Sequence, residues 1–325
     1  MDNSKENEIL DTPNPPPQYE QHFVHTLSPF AVIALCFGLF LAGNMVAGLI
    51  MIGLAKVSGL DITALMKGLS ENTPVGTRNF MRLVLFINHI FSFILPAFVT
   101  AWIAYKKHWF SYFKLDNFPK FSTIFLAFVW LLASMPVVQY AYQVNKMLQL
   151  PQWMMDMENS TSGMLEAIIS KENFYEIIIN VFLIAIIPAI GEELMFRGVI
   201  QQQIGRLFKN EHVQVWLSAA IFSAIHMQFQ GFLARMILGA LLGYLLVWTR
   251  SLWLPMIFHF LNNGLQVVGL YVMNVKPSDM DKIVPTDKID WTIAGVFLMV
   301  VLALGKYIRE SNLPPLEPNA LDEVV

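Results

Sequence analysis

The chain is dominated by apolar runs long enough to cross a lipid bilayer. A helix rises about 1.5 Å per residue, so crossing the roughly 30 Å hydrocarbon core takes about 20 apolar residues. Runs of about this length predict an all-α, polytopic membrane protein with about eight transmembrane helices that enclose a polar cavity. The predicted spans are 29–57, 80–105, 121–142, 174–190, 213–229, 232–249, 252–273 and 291–307.

Composition and charge narrow the class of protein further. The 325 residues are 55% hydrophobic and only 14% charged, whereas soluble domains carry about 25% charged residues. The formal net charge is −3 and there is no basic block, so we expect no nucleic-acid partner. The single cysteine, Cys36, has no second cysteine with which to form an internal disulfide or a thiolate metal site.

Three regions are predicted along the chain. Residues 1–27 are polar and rich in proline, which predicts a disordered N-terminal tail. Residues 28–309 form a single transmembrane domain, and residues 310–325 form a polar C-terminal tail. An even number of spans places both termini on one side, together with the basic segments 106–120 and 197–209. The positive-inside rule then makes that side cytoplasmic.

Two adjacent carboxylates, Glu192 and Glu193, follow the apolar run 174–190. A charged side chain deep in a bilayer costs roughly 2.5–3.5 kcal/mol on insertion scales. Glu193 and Arg197 are four residues apart and share a helix face, so they can pair, but Glu192 has no evident local partner. Pro188 predicts a kink near Ile184, and the apolar pattern continues the same helix to residue 208.

Two other predicted spans carry polar pairs at helical spacing. Phe222 precedes His226 by four residues, and His259 precedes Asn263 by four, so each pair lies on one face of its helix. We expect these faces to meet Glu192 around one water-filled site. Asn88 and His89, in the second span, are interpreted instead as contacts between helices.

One carboxylate and two imidazoles can activate a water molecule in two ways. In the first, Glu192 is the general base and a histidine orients the water. In the second, Glu192, His226 and His259 bind a catalytic metal, with zinc the expected ion and water in the fourth position. In both, Asn263 can donate its amide to a developing oxyanion. The predicted reaction is hydrolysis of an amide inside the membrane.

These motifs resemble those of the CPBP family of intramembrane proteases, which includes the CAAX prenyl endopeptidases and the Abi group of bacteriocin-processing and immunity proteins. The family motifs Glu-Glu-x-x-x-Arg, Phe-x-x-x-His and His-x-x-x-Asn stand here at 192–197, 222–226 and 259–263. The resemblance covers about residues 174–273. It implies an eight-helix protease domain with its site open to the cytoplasm.

The resemblance also implies a division of roles among the site residues. Glu192 and His226 activate water, while His259 and Asn263 stabilise the oxyanion. Glu193, Arg197 and Phe222 are interpreted as supporting residues, and no cofactor other than a metal is expected.

The predicted function is therefore that of an intramembrane endopeptidase. Its expected partners are membrane lipid and a hydrophobic, leader-bearing or membrane-associated peptide, and its expected location is a bacterial cytoplasmic membrane.

The alternatives are a non-catalytic adaptor or immunity protein and, less favoured, an ion- or proton-coupled transporter. An adaptor would tolerate His226→Ala. A proton path needs carboxylates across the membrane, and the other seven predicted spans contain no Asp or Glu. The sequence carries no information on oligomeric state.

Overall fold

A computed structural model describes residues 27–61, 73–169, 174–273, 275 and 289–312. Within these ranges the chain forms nine helices and no strand, which confirms the all-α class. Residues 1–26 and 313–325, most of the two predicted tails, lie outside the described ranges. The helices are α1 Pro29–Val57, α2 Val75–Tyr112, α3 Phe121–Lys146, α4 Gln152–Ile169, α5 Phe174–Phe208, α6 Glu211–Ile225, α7 Phe232–Thr249, α8 Trp253–Val272 and α9 Trp291–Asn312.

Six of these helices are long and apolar enough to cross a membrane: α1, α2, α3, α5, α7 and α9. The fifth and seventh predicted spans, α6 and α8, differ from the rest. Helix α6 has 15 residues and is about 22 Å long, so it ends at Ile225 without crossing the core. Helix α8 is longer, but its polar residues near His259 lower its hydropathy. Helices surrounded by other helices can carry such residues, because lipid does not face them.

Helices α2 and α5 each contain a π-helical segment just before a proline. Ile90–Ile94 precedes Pro96, and Phe182–Ile186 precedes Pro188. Proline has no backbone N–H, and its ring clashes with the carbonyl four residues earlier, so the helix must widen or bend there. The distortion expected at Ile184 is thus present as a π segment. A third one, Leu194–Gln201, directly follows the two carboxylates of α5.

Two glycines on α7 let it approach α5 closely. The Arg197 guanidinium donates to the Gly239 carbonyl at 2.9 Å, and the Gln201 amide donates to the Gly243 carbonyl at 2.9 Å. A Cβ atom at Gly239 would lie 3.2 Å from the Arg197 guanidinium, and one at Gly243 would lie 2.7 Å from Gln201 Oε1. The missing side chains therefore make room for two buried polar groups of α5.

Helix α1 depends in the same way on Gly43, which packs against the π segment of α2. A Cβ atom there would overlap the carbonyl oxygen of Phe91, which is backbone and cannot rotate away. We expect Gly43→Ala to lower the free energy of unfolding by about 3 kcal/mol, measured by thermal unfolding in detergent. Gly48→Ala is the matched control, since it lies in the same helix with nothing within 4 Å of the added atom. Equal unfolding temperatures for the two variants would contradict this packing.

Candidate active site

Three imidazole rings surround the buried carboxylate of Glu192, which is 6% exposed. His226 Nε2 lies 3.6 Å and His259 Nε2 lies 3.8 Å from Glu192 Oε2. On the other side, His89 Nε2 lies 3.4 Å from Glu192 Oε1. The structure thus brings Glu192, His226 and His259 together, as the motif pattern led us to expect, and it adds a third histidine.

Backbone carbonyls orient two of the three rings. The Nδ1 atom of His226 is 2.8 Å from the Phe222 carbonyl, and the Nδ1 atom of His89 is 3.1 Å from the Leu85 carbonyl. A carbonyl oxygen only accepts, so the hydrogen of each pair resides on Nδ1. In both cases the acceptor is four residues earlier on the same helix, and Nε2 is left facing Glu192.

The third ring is oriented by the second carboxylate. His259 Nδ1 lies 2.7 Å from Glu193 Oε1, and the same oxygen accepts from the Arg197 guanidinium at 2.8 Å. Glu193 and Arg197 are both 0% exposed. The Phe222 ring lies 4.5 Å from the Arg197 guanidinium and packs edge-on against His259. The predicted Glu193–Arg197 pair is therefore present, and it also holds His259.

Asn263 lies on the wall of the same cavity as Glu192. Its Nδ2 donates to the Ile184 carbonyl at 3.2 Å, and its Oδ1 accepts from Asn262 at 3.1 Å. The Ile184 carbonyl is the one that Pro188 leaves without its usual helical donor. An amide nitrogen carries two hydrogens, so this contact orients Asn263 and leaves the second hydrogen for another acceptor.

His89 is the site residue that the sequence interpretation missed. It does contact another helix, as expected, but that contact is the carboxylate of Glu192. A usable signal was present, since a buried carboxylate without a local partner needs a counter-group and His89 is an ionisable residue within a span. The pairing of His89 with Glu192 depends on how α2 packs on α5, and no local pattern in the sequence predicts it.

A cavity of about 470 Å³ extends from the Glu192 carboxylate toward α4 and the turn that follows His226. Helix α4 connects α3 with α5, so it lies at the ends of the spans opposite to those nearest Pro29 and Asn312. The two expectations about sidedness, a site open to the cytoplasm and cytoplasmic chain ends, both stay predictions.

The metal-assisted route requires the side chains of the site to converge on one ion. Zinc needs ligand atoms about 2.0–2.2 Å from one point. Within the part of the chain that the structure describes, no group of three or more His, Cys, Asp or Glu side chains is arranged to hold an ion. Zinc on Glu192, His226 and His259 stays a prediction, and no step below passes through a metal.

Comparisons with known proteins match the part of the chain that carries the three motifs. A family model described as "Type II CAAX prenyl endopeptidase Rce1-like" matches residues 174–265, which contain all three motifs. The chain is 29% identical over 137 residues to "Uncharacterized protein YpbD" of Bacillus subtilis strain 168, covering 41% of this chain and 64% of that protein. It is 30% identical over 95 residues to "Membrane-embedded CAAX protease MroQ" of Staphylococcus aureus strain USA300, covering 28% of this chain and 38% of that protein.

The chain thus spans less than two thirds of the length of each of these relatives. No solved structure matches it. With its three motifs on separate helices around one buried carboxylate, and with the Rce1-like match over those same helices, the chain is similar over residues 174–265 to the CPBP family of intramembrane proteases.

Proposed function

We propose that this protein is an intramembrane endopeptidase that hydrolyses a peptide bond in a hydrophobic or membrane-associated substrate. The observation that carries the proposal is the environment of Glu192 Oε2. This atom is buried and has no hydrogen-bond partner among the described residues, although two imidazole nitrogens face it at 3.6 and 3.8 Å. An unsatisfied buried acceptor costs about 1–3 kcal/mol, and a catalytic base is one reason to retain it.

Glu192 and His226 are the pair suited to activating water. In the proposed reaction Glu192 Oε2 takes a proton from water, while His226 Nε2 accepts the second water hydrogen and fixes the direction of attack. The oxygen then bonds to the substrate carbonyl carbon. When the C–N bond breaks, Glu192 returns the proton to the departing nitrogen, so the base is regenerated.

His259 and Asn263 are placed to stabilise the oxyanion. Glu193, itself paired with Arg197, holds His259 by its Nδ1 atom, and a ring that carries a hydrogen on Nε2 as well can donate it to an oxyanion. Asn263 is held by the Ile184 carbonyl and has a second amide hydrogen to donate. One such donor contributes about 10²–10³-fold to kcat in other hydrolases.

The walls of the cavity support a hydrophobic substrate. Away from the polar cluster they are formed largely by leucine, isoleucine and methionine side chains of α4, α5, α7 and α8. Apolar side chains of an extended or unwound peptide gain free energy on entering such a space, at about 25 cal/mol per Å² buried. We include leader-bearing peptides among the candidate substrates and a bacterial cytoplasmic membrane as the location.

Cleavage by the purified full chain tests the proposal. The protein is reconstituted in lipid vesicles with a library of hydrophobic and leader-bearing peptides, in water enriched in ¹⁸O. We expect defined products, each with one ¹⁸O in its new carboxyl terminus. Uncleaved peptides across the library, or products without the label, would contradict peptide hydrolysis.

The same preparation tests whether cleavage requires a bound metal ion. Metal content is measured on the pure protein, and cleavage is measured again after treatment with a chelator. We expect cleavage to persist, because the described side chains supply base and donors without an ion. Loss of cleavage that zinc alone restores would favour the metal-assisted route instead.

A further inference from the structure

The two oxygens of Glu192 have different surroundings. Oε2 faces the motif histidines His226 and His259, whereas Oε1 faces His89. We propose that His89 is a positioning residue for the catalytic carboxylate: as an imidazolium, with a hydrogen on each ring nitrogen, it donates its Nε2–H to Oε1 and holds Oε2 toward the water. The kinetic part of this inference rests on the proposed function. His89 lies outside the matched residues 174–265.

The ring of His89 is constrained in the orientation that this role needs. Its Nδ1 donates to the Leu85 carbonyl at 3.1 Å, and its face stacks on Phe93 with ring centres 5.4 Å apart and planes at 30°. The side chain is 12% exposed. A ring held along one edge and one face has little freedom to turn, so Nε2 remains directed at Glu192.

The backbones of both helices bring the two side chains together. The π segment Ile90–Ile94 begins directly after His89. On α5, Gly191 immediately precedes Glu192, and a Cβ atom there would lie 2.9 Å from the Ile94 side chain and 3.1 Å from that of Phe93. The absence of a side chain at Gly191 thus allows α2 to approach close enough for His89 to reach Oε1.

Holding one carboxylate oxygen matters because the last torsion of a glutamate side chain is broad. Without the Oε1 contact, the carboxylate can rotate and spend part of its time with neither oxygen aimed at the water. A misplacement of about 1 Å in a reacting group can lower a rate by about 10²-fold. The loss should therefore appear in kcat, since His89 acts on the reaction through the base that it holds.

Two substitutions of similar size separate donation from packing. We expect His89→Met, which has no donor, to lower kcat by about 100-fold with KM little changed. We expect His89→Gln, whose amide can donate from nearly the same position, to recover most of that loss. His212→Gln is the control, because His212 is exposed and bonds Tyr244 away from the site. Unfolding temperatures are measured for every variant.

Each outcome decides the inference. Equal losses in His89→Met and His89→Gln, a change confined to KM, or full activity in His89→Met would overturn the positioning role while leaving the proposed protease intact.

A second measurement is independent of cleavage: ¹⁵N-histidine NMR of the wild type and of Glu192→Gln. We expect His89 Nε2 to carry a hydrogen and its signal to move in Glu192→Gln. An Nε2 without a hydrogen overturns the inference, whereas absence of any peptide cleavage by the wild type overturns the proposed function alone.

Discussion

We expect that replacing Glu192 with glutamine will abolish the proposed peptide cleavage and leave the protein folded. The amide has the shape of the carboxylate, but it cannot take a proton from water. General-base catalysis contributes about 10²–10⁴-fold to a rate, so we expect kcat to fall by about 10³-fold or more. The fold should survive because the substitution removes a buried charge and keeps the shape of a side chain whose polar neighbours on other helices, among the described residues, are three imidazoles.

The measurement is the rate of product formation in vesicles, together with the unfolding temperature. Glu158→Gln is the matched control, since Glu158 accepts a hydrogen bond from the Gln230 backbone at 3.1 Å in the turn after His226 and an amide oxygen can accept the same bond. We expect this control to keep the wild-type kcat. Wild-type cleavage by Glu192→Gln would rule out the general-base mechanism and, with it, the carboxylate as the centre of the site.

We expect that replacing Arg197 with methionine will destabilise the whole protein. Arg197 is fully buried, pairs with Glu193 at 2.8 Å and donates to the Gly239 carbonyl at 2.9 Å. Removing one member of a buried ion pair leaves the other charge uncompensated and costs about 3–5 kcal/mol. We expect a loss of this size in the free energy of unfolding, measured by denaturant titration in detergent.

A second variant separates charge from packing. In the double variant Glu193→Gln with Arg197→Met, no buried charge of the pair remains, so we expect it to recover a large part of the stability that Arg197→Met loses. If single and double variants unfold at the same denaturant concentration, the loss comes from the packing of Arg197 on Phe222 and Gly239, and the electrostatic explanation is wrong.

Some parts of the site are visible in the sequence because they depend on residues within one or two turns of a helix. The spacing of Glu193 and Arg197 predicts their pair, and Pro188 predicts the distortion at Ile184, because both effects act over four residues. Length and apolarity likewise predict the spanning helices. The motif pairs at 222–226 and 259–263 each share a helix face for the same reason.

Other parts needed the packed structure. The predicted span 213–229 is shorter in the structure, because helix α6 ends at Ile225 and leaves His226 on the wall of the cavity. The bond between Glu193 and His259 joins residues 66 positions apart, and the Asn263 amide donates to the carbonyl of Ile184, 79 positions earlier in the chain. Helical periodicity predicts contacts only between residues a few positions apart, so neither of these contacts can be predicted from the sequence alone.

What the sequence determined by itself is a membrane-embedded helical chain with one costly carboxylate and two candidate imidazole helices, since hydropathy and helical periodicity are local properties. Only the tertiary structure decided which groups meet that carboxylate. Side-chain convergence depends on how closely helices approach, and glycines such as Gly191 and Gly239 set that distance. His89 joined the site for this reason: α2 lies against α5 where Gly191 has no side chain to keep them apart.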